Sequence, residues 1–237
     1  IFRTVVKIED QNILQYNKNL EGEHFSLEIV DLRDSYNYRE KIELEALRIQ
    51  RSMDLYNGPL VKVGLFKTKE GDHLLIAIHH LVVDGVSWRI ILEDLDIGYR
   101  QALNNDEIKF SNKTDSFKDW AQRLDEYANS PELLKEINYW TNLEKTETIP
   151  LPKDREIEER RYMNNNSVKI ELSIEETEKM LKRVNHAYNT EVNDILLTAL
   201  GLAVREWTGN DKVLISLEGH GREEIIKDID ISRTVGW

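Results

Sequence analysis

The residues best placed to do chemistry fall in one stretch, Ile76-Ala77-Ile78-His79-His80-Leu81-Val82-Val83-Asp84-Gly85-Val86-Ser87-Trp88. The apolar run from Leu74 to Ile78 reads as a buried strand that ends on two histidines. Asp84-Gly85 turns the chain, and from about Ser87 the pattern becomes helical, with Trp88, Ile91, Leu92, Leu95 and Tyr99 at helical spacing. Two imidazoles therefore sit where a strand stops and a helix N-terminus begins. Such a place offers a proton acceptor, a low dielectric and unpaired helix N–H donors. Taken singly, a histidine at a strand end is usually a packed, hydrogen-bonded residue. Neighbours on a strand point to opposite faces, so at most one of the pair can face a given cavity. The same divergence argues against zinc on His79, His80 and Asp84.

A second constellation lies near the C-terminus. Val213 to Leu217 reads as an apolar strand, followed by Glu218-Gly219-His220-Gly221-Arg222-Glu223. Glycines on both sides of His220 allow a sharp turn or a close backbone approach. On composition alone this is a solvated loop whose Glu, His and Arg bond to one another.

The elements that must carry these groups follow from periodicity. Strands are expected over 2–8 and 24–30, with a turn at Glu9-Asp10-Gln11-Asn12, then a helix from about Tyr38 to Arg51. Asn57-Gly58-Pro59 breaks the pattern and launches a strand from Leu60 to Phe66, and Lys69 to Asp72 is a hairpin loop. After a polar loop, Phe117, Trp120, Ala121 and Leu124 form an amphipathic face. Ser130-Pro131 starts a helix presenting Leu134, Ile137 and Trp140. The aromatic residues Phe117, Trp120, Tyr139 and Trp140 are assigned to core packing. Ile149 to Arg161, with two prolines and mixed charge, reads as a linker. Beyond it come a strand at Val168, Ile170 and Leu172, a helix capped by Ser173 and Glu176 and lined by Met180, Leu181, Val184 and Tyr188, and a helix from Val192 to Trp207 capped by Thr190.

The chain has 237 residues, 40% hydrophobic and 32% charged, which suits a globular protein with a sizeable core. A net charge of -12 argues against nucleic acid or an anionic membrane as principal partner. With no cysteine, disulfides, thiolate metal sites and Cys nucleophiles are excluded, and the composition fits a reducing, cytoplasmic setting. The first residues already have a strand-like pattern and the last is Trp237, so the chain reads as a piece of a longer polypeptide.

Four strings, in order, resemble the signatures of condensation and epimerization domains of nonribosomal peptide synthetases: HHLVVDGVSW (79–88), NDILLTALG (193–201), EGHGRE (218–223) and RTVGW (233–237). Asp54 to Leu60 is similar to a further segment of that family. EGHGRE and RTVGW point to epimerization within it. The resemblance runs from about Phe2 to Trp237, with the family's earliest segment expected before residue 1 and its last motifs after 237. It implies a chloramphenicol-acetyltransferase-like α/β architecture of two lobes, each a sheet covered by helices. The first lobe would span 1–160 without its start, and 161–237 would begin an incomplete second lobe.

The reaction implied is inversion at Cα of an aminoacyl or peptidyl thioester held on the phosphopantetheine arm of a carrier protein. No cofactor is bound directly, neither metal nor flavin. The partners implied are that carrier and neighbouring synthetase domains. The thioester acidifies its α-hydrogen, yet its removal needs a base and stabilisation of the enolate oxygen. The resemblance makes His80 the working histidine, with Glu218 opposite as the second catalytic group, and desolvation would have to keep Glu218 protonated. His79, Asp84, Gly85, Ser87, Trp88, Gly219, His220 and Arg222 are expected to support them, and helix N–H groups after Ser87 to face the enolate. Two alternatives stand beside inversion: condensation of two carrier-bound substrates, and a non-catalytic carrier-docking module.

Overall fold

The computed structural model describes residues 2–9, 12–156 and 165–237. Strand β1 (Thr4–Glu9) pairs antiparallel with β2 (Asn12–Asn17), in register from Thr4 against Asn17 to Glu9 against Asn12. β2 has no expectation behind it in the sequence. All six of its residues are exposed, so it carries no apolar alternation to announce it. The centre of the expected turn, Asp10-Gln11, lies outside the described residues.

A three-stranded sheet follows, in the order β3 (Ser26–Asp31), β4 (Val61–Thr68), β5 (Gly71–Ile78). β4 is parallel to β3 and antiparallel to β5. A parallel pair needs a crossover, and helix α1 (Tyr38–Arg51) supplies it, over the span its periodicity predicts. Its Ile42, Ala46 and Ile49 pack on Leu32, Phe66, Val30 and Leu75. Ile49 and Phe66 are almost wholly buried, so one helix stripe and one sheet face make this core.

The turn between α1 and β4 is tied down from two sides. Val6 donates its N–H to the carbonyl of Leu55 at 2.8 Å. The Asp54 carboxylate accepts the N–H groups of Tyr56 (2.8 Å) and Asn57 (3.1 Å) and the Asn57 amide (2.7 Å). The Asn57 side chain first, then these backbone bonds, hold the Asp54 carboxyl below the usual carboxylate range. A carboxyl depressed in the folded state adds stability that is present above its unfolded pKa of about 4 and lost as pH falls through the folded value. The stability gap between the wild type and Asp54→Asn should therefore narrow on acidification from pH 6 to about pH 3. Urea midpoints at the two pH values measure it, and a constant gap would contradict the assignment.

Helix α2 (Gly85–Leu103) comes next, then α3 (Phe117–Ala128), opened by a capping box between Ser116 and Asp119. The buried stripe of α2 is Ser87, Ile90 and Gly98. The expected apolar residues Leu92, Leu95 and Tyr99 are exposed, because the helix turns a neighbouring face inward. The helix expected from Ser130 divides into α4 (Pro131–Leu134) and α5 (Ile137–Glu144). Trp120 is core, as expected, but Tyr139 and Trp140 are more than half exposed. These two rings pack edge-to-face on each other, and Trp140 donates to Glu136 at 3.1 Å.

Helix α6 (Ile174–Lys179) runs through a π-helical stretch, Met180–Val184, into α7 (Asn185–Tyr188), and α8 spans Val192–Thr208. Thr190 does not cap α8. The Glu191 N–H is taken instead by the Asp194 carboxylate at 2.9 Å. The strands expected at 168–172 and 213–217 do not form. Alternation gives a segment a face, but a strand also needs a neighbour for its backbone groups, and neither segment has one among the described residues. No helix among the described residues is long and apolar enough to cross a membrane.

The chain divides into two units, one of residues 1–134 with 219–237, the other of 135–218. The lobe boundary expected near residue 160 falls within 157–164, outside the described residues.

Candidate active site

Strand β5 ends at Ile78, and the His79 N–H reaches the carbonyl of Leu60 at 3.0 Å. The chain then makes one 3-10 turn, His80–Val82, whose N-cap is His79. The ring Nδ1 of His79 accepts the Leu81 N–H at 3.2 Å, so that imidazole is occupied with its own turn. Val82 and Val83 are buried and anchor the turn, while His80 is exposed. The His80 ring lies edge-to-face on Trp237, with centroids 5.0 Å apart and planes at 78°.

Asp84 is the N-cap of α2 and is 4% exposed. Its Oδ1 accepts the Ser87 N–H at 2.6 Å and the Ser87 hydroxyl. Trp88 donates its N–H to the Asp84 carbonyl. The helix N–H groups at Ser87 and Trp88 are thereby engaged, which corrects the expectation that they would face an enolate. Gly85 is exposed at the first position of α2, and Trp88 is half-buried.

The second oxygen of Asp84 receives the Nε of Arg222 at 2.9 Å, and this ion pair is about 95% buried on both sides. Arg222 also donates to the carbonyls of Thr234 and Gly236 and to the Ser87 hydroxyl. Its guanidinium carbon stands 5.6 Å from the centre of the Phe117 ring. Ser87 Oγ is saturated: its hydrogen goes to Asp84, and its lone pairs take the Gly236 N–H (3.1 Å) and Arg222. That hydroxyl is a structural joint and has no free capacity for nucleophilic work.

The turn that presents Arg222 depends on Gly221, whose φ of +65° lies in the left-handed region. Trp120 donates its indole N–H to the Gly221 carbonyl at 3.1 Å. His220 is exposed, its Nδ1 accepts the Arg222 N–H at 3.0 Å, and the Glu223 carboxylate is 3.8 Å away. A cavity of about 530 Å³ opens beside the pair, with Arg89, Trp120, His220, Glu223 and Lys227 among its walls. Gly219 is exposed at the start of the returning segment, and Glu218, the last residue of the second unit, is exposed as well.

The segment 230–237 is fastened at several further points. Asp115 and Asp230 exchange hydrogen bonds, and Thr234 donates to the Asp115 carbonyl at 2.6 Å. Arg233 pairs with Glu93 at 2.7 Å and with Asp94, and the Glu93 bond leads in raising its pKa. Gly236 is required by space. A Cβ there would come 2.4–2.7 Å from three atoms of Phe117. Gly236→Ala should cost about 1–3 kcal/mol, as overpacked sites do, and shift the urea midpoint downward. An unchanged midpoint would mean that Phe117 yields freely.

The structure thus brings Asp84, Ser87 and Arg222 into one buried cluster and sets His80 apart at the surface on Trp237. Thr234, Gly236, Trp237 and Phe117 also belong to this region and were missed as site residues. The only signal for the first three was the string RTVGW, and Phe117 gave none beyond helical spacing.

A family model, the condensation domain, matches residues 1–237. The chain belongs to the condensation-domain family. Within it, the chain is similar to the epimerization domain from the third module of tyrocidine synthetase B, with 51% identity and a TM-score of 0.91 over 100% of this chain and 54% of that one. It is also 51% identical over 236 residues to tyrocidine synthase 2 of Brevibacillus parabrevis, covering 99% of this chain and 7% of that protein. The first condensation domain of the calcium-dependent antibiotic synthetase shares the fold at 18% identity and a TM-score of 0.59, over 88% of this chain and 48% of that one. The chain therefore spans about half of the solved domains it matches and a small part of a whole synthetase.

Proposed function

We propose that the chain is part of an epimerization domain that inverts Cα of an aminoacyl or peptidyl thioester delivered on the phosphopantetheine arm of a carrier protein. The observation that carries this reading is the contrast in similarity. Half the residues match an epimerization domain over the whole chain, whereas fewer than one in five match a condensation domain of the same fold. The strings EGHGRE and RTVGW support the same choice.

In this reading His80 and Glu218 are the two groups that move the α-proton, one removing it and the other returning it. His80 suits the task because its ring is exposed and has no hydrogen-bond partner among the described residues of the first unit. A general acid or base must be within reach of the proton it moves, and an imidazole already committed to a backbone amide, as His79 is, cannot serve at that nitrogen. The Glu218 carboxyl is exposed and therefore open to a bound substrate. Asp84 and Arg222 neutralise one another inside the fold and shape the loop that carries the histidine. No residue of the chain has to hold a cofactor for this chemistry.

The test uses the whole domain in its synthetase, with a carrier loaded with an L-aminoacyl thioester. Chiral analysis of the released residue should show both enantiomers, and α-deuterium should wash out into solvent. Glu218→Gln should reduce the inversion rate by about 10²–10⁴-fold. Peptide-bond formation between two loaded carriers, with no inversion, would instead establish the condensation reading that the family model also accommodates.

A further inference from the structure

An imidazole that moves a proton is ordinarily oriented by a hydrogen bond at its second ring nitrogen. His80 has no such bond within the first unit, and its ring contact there is the edge-to-face packing on Trp237. Trp237 is itself held through its neighbour. The Gly236 N–H goes to Ser87 Oγ at 3.1 Å, the Gly236 carbonyl accepts Arg222 Nη2 at 3.0 Å, and the backbone at 236 lies tight on Phe117.

We propose that Trp237 is a positioning residue that holds the imidazole of His80 in one orientation, and that the buried Asp84–Arg222 pair acts on His80 through it. The inference rests on the reading of His80 as a proton-transfer group. Edge-to-face is a preferred geometry for aromatic pairs at this separation, so the contact restricts the ring without consuming either nitrogen. Both nitrogens then stay available to substrate and solvent, which an orienting carboxylate would not allow.

The test compares Trp237→Leu, Trp237→Phe and His80→Ala in the whole domain. Trp237→Leu keeps apolar bulk and removes the π face. It should lower kcat for inversion about 3- to 10-fold with KM changed less than about twofold. It should also abolish the ring-current shift of the His80 Hε1 signal in NMR spectra. Trp237→Phe should restore most of kcat and part of that shift. Trp237 is 43% exposed, so neither change removes a core side chain. Should Trp237→Leu still melt early, the reduced ring-current shift in Trp237→Phe carries the test. Wild-type kcat and Hε1 shift in Trp237→Leu, with His80→Ala inactive, would overturn the positioning role alone. Retained inversion in His80→Ala would overturn both this role and the proton-transfer reading beneath it.

Discussion

Arg222→Met is expected to destabilise the domain by about 3–5 kcal/mol, the usual cost of removing one partner from a buried ion pair. Methionine fills much of the space but donates nothing. Asp84, 4% exposed, would be left as an unpaired charge, and the carbonyls of Thr234 and Gly236 would each lose a donor. For a domain of this size the loss corresponds to a fall of about 10 °C in melting temperature. Arg222→Lys should recover only part of it, because an ammonium cannot serve four acceptors in the plane of a guanidinium. The informative partner is Asp84→Asn combined with Arg222→Met. Asparagine still caps α2 and carries no charge, so the double variant should be less impaired than the sum of the singles. Thermal and urea unfolding of the four proteins decide it. A single Arg222→Met change within about 1 kcal/mol of wild type would show that water reaches the pair.

For the inversion proposed above, His80→Ala is expected to cost about 10²–10⁴ in rate, as general acid–base groups contribute. It should do so with the melting temperature almost unchanged, because the side chain is exposed and no described residue of its unit hydrogen-bonds to the ring. This is the opposite signature to Arg222→Met. Washout of α-deuterium from the L-aminoacyl thioester then tells the two groups apart: it disappears with inversion when His80 is the group that breaks that C–H bond, and persists without inversion when Glu218 is. His79→Ala separates the two histidines. It loses the bond to the Leu81 N–H, and its effect should appear in stability before it appears in the chemical step. Equal losses of rate in both variants would mean that the turn as a whole, and not the His80 ring, is what the reaction needs.

Local pattern made some of this molecule legible. Helix α1 matches its expected span because Ile42, Ala46 and Ile49 repeat at helical spacing and a β-sheet lies ready to cover them. The strand ending on His79 and His80 was readable from its apolar run and its hairpin. Distance in the chain defeated the rest. Asp84 and Arg222 are 138 positions apart, and nothing local to either states that they meet in the interior. The segments 168–172 and 213–217 have the alternation of strands, but alternation does not report whether a neighbour is there to pair with them. In α2 the sequence offers two apolar faces, and only packing chooses the one that contains Ser87, Ile90 and Gly98.

The return of residues 219–237 to the first unit governs how the protein can be made and how it can be cut. A ribosome adding about 5–20 residues per second finishes α2 on the order of 10 s before Arg222 emerges. Until then the Asp84 carboxylate has no guanidinium and the nascent first unit cannot close around it. Chimeras made between this chain and a related domain inherit the same constraint. A junction placed anywhere between 84 and 222 unites an acid from one parent with a base from another, so crossovers belong outside that interval.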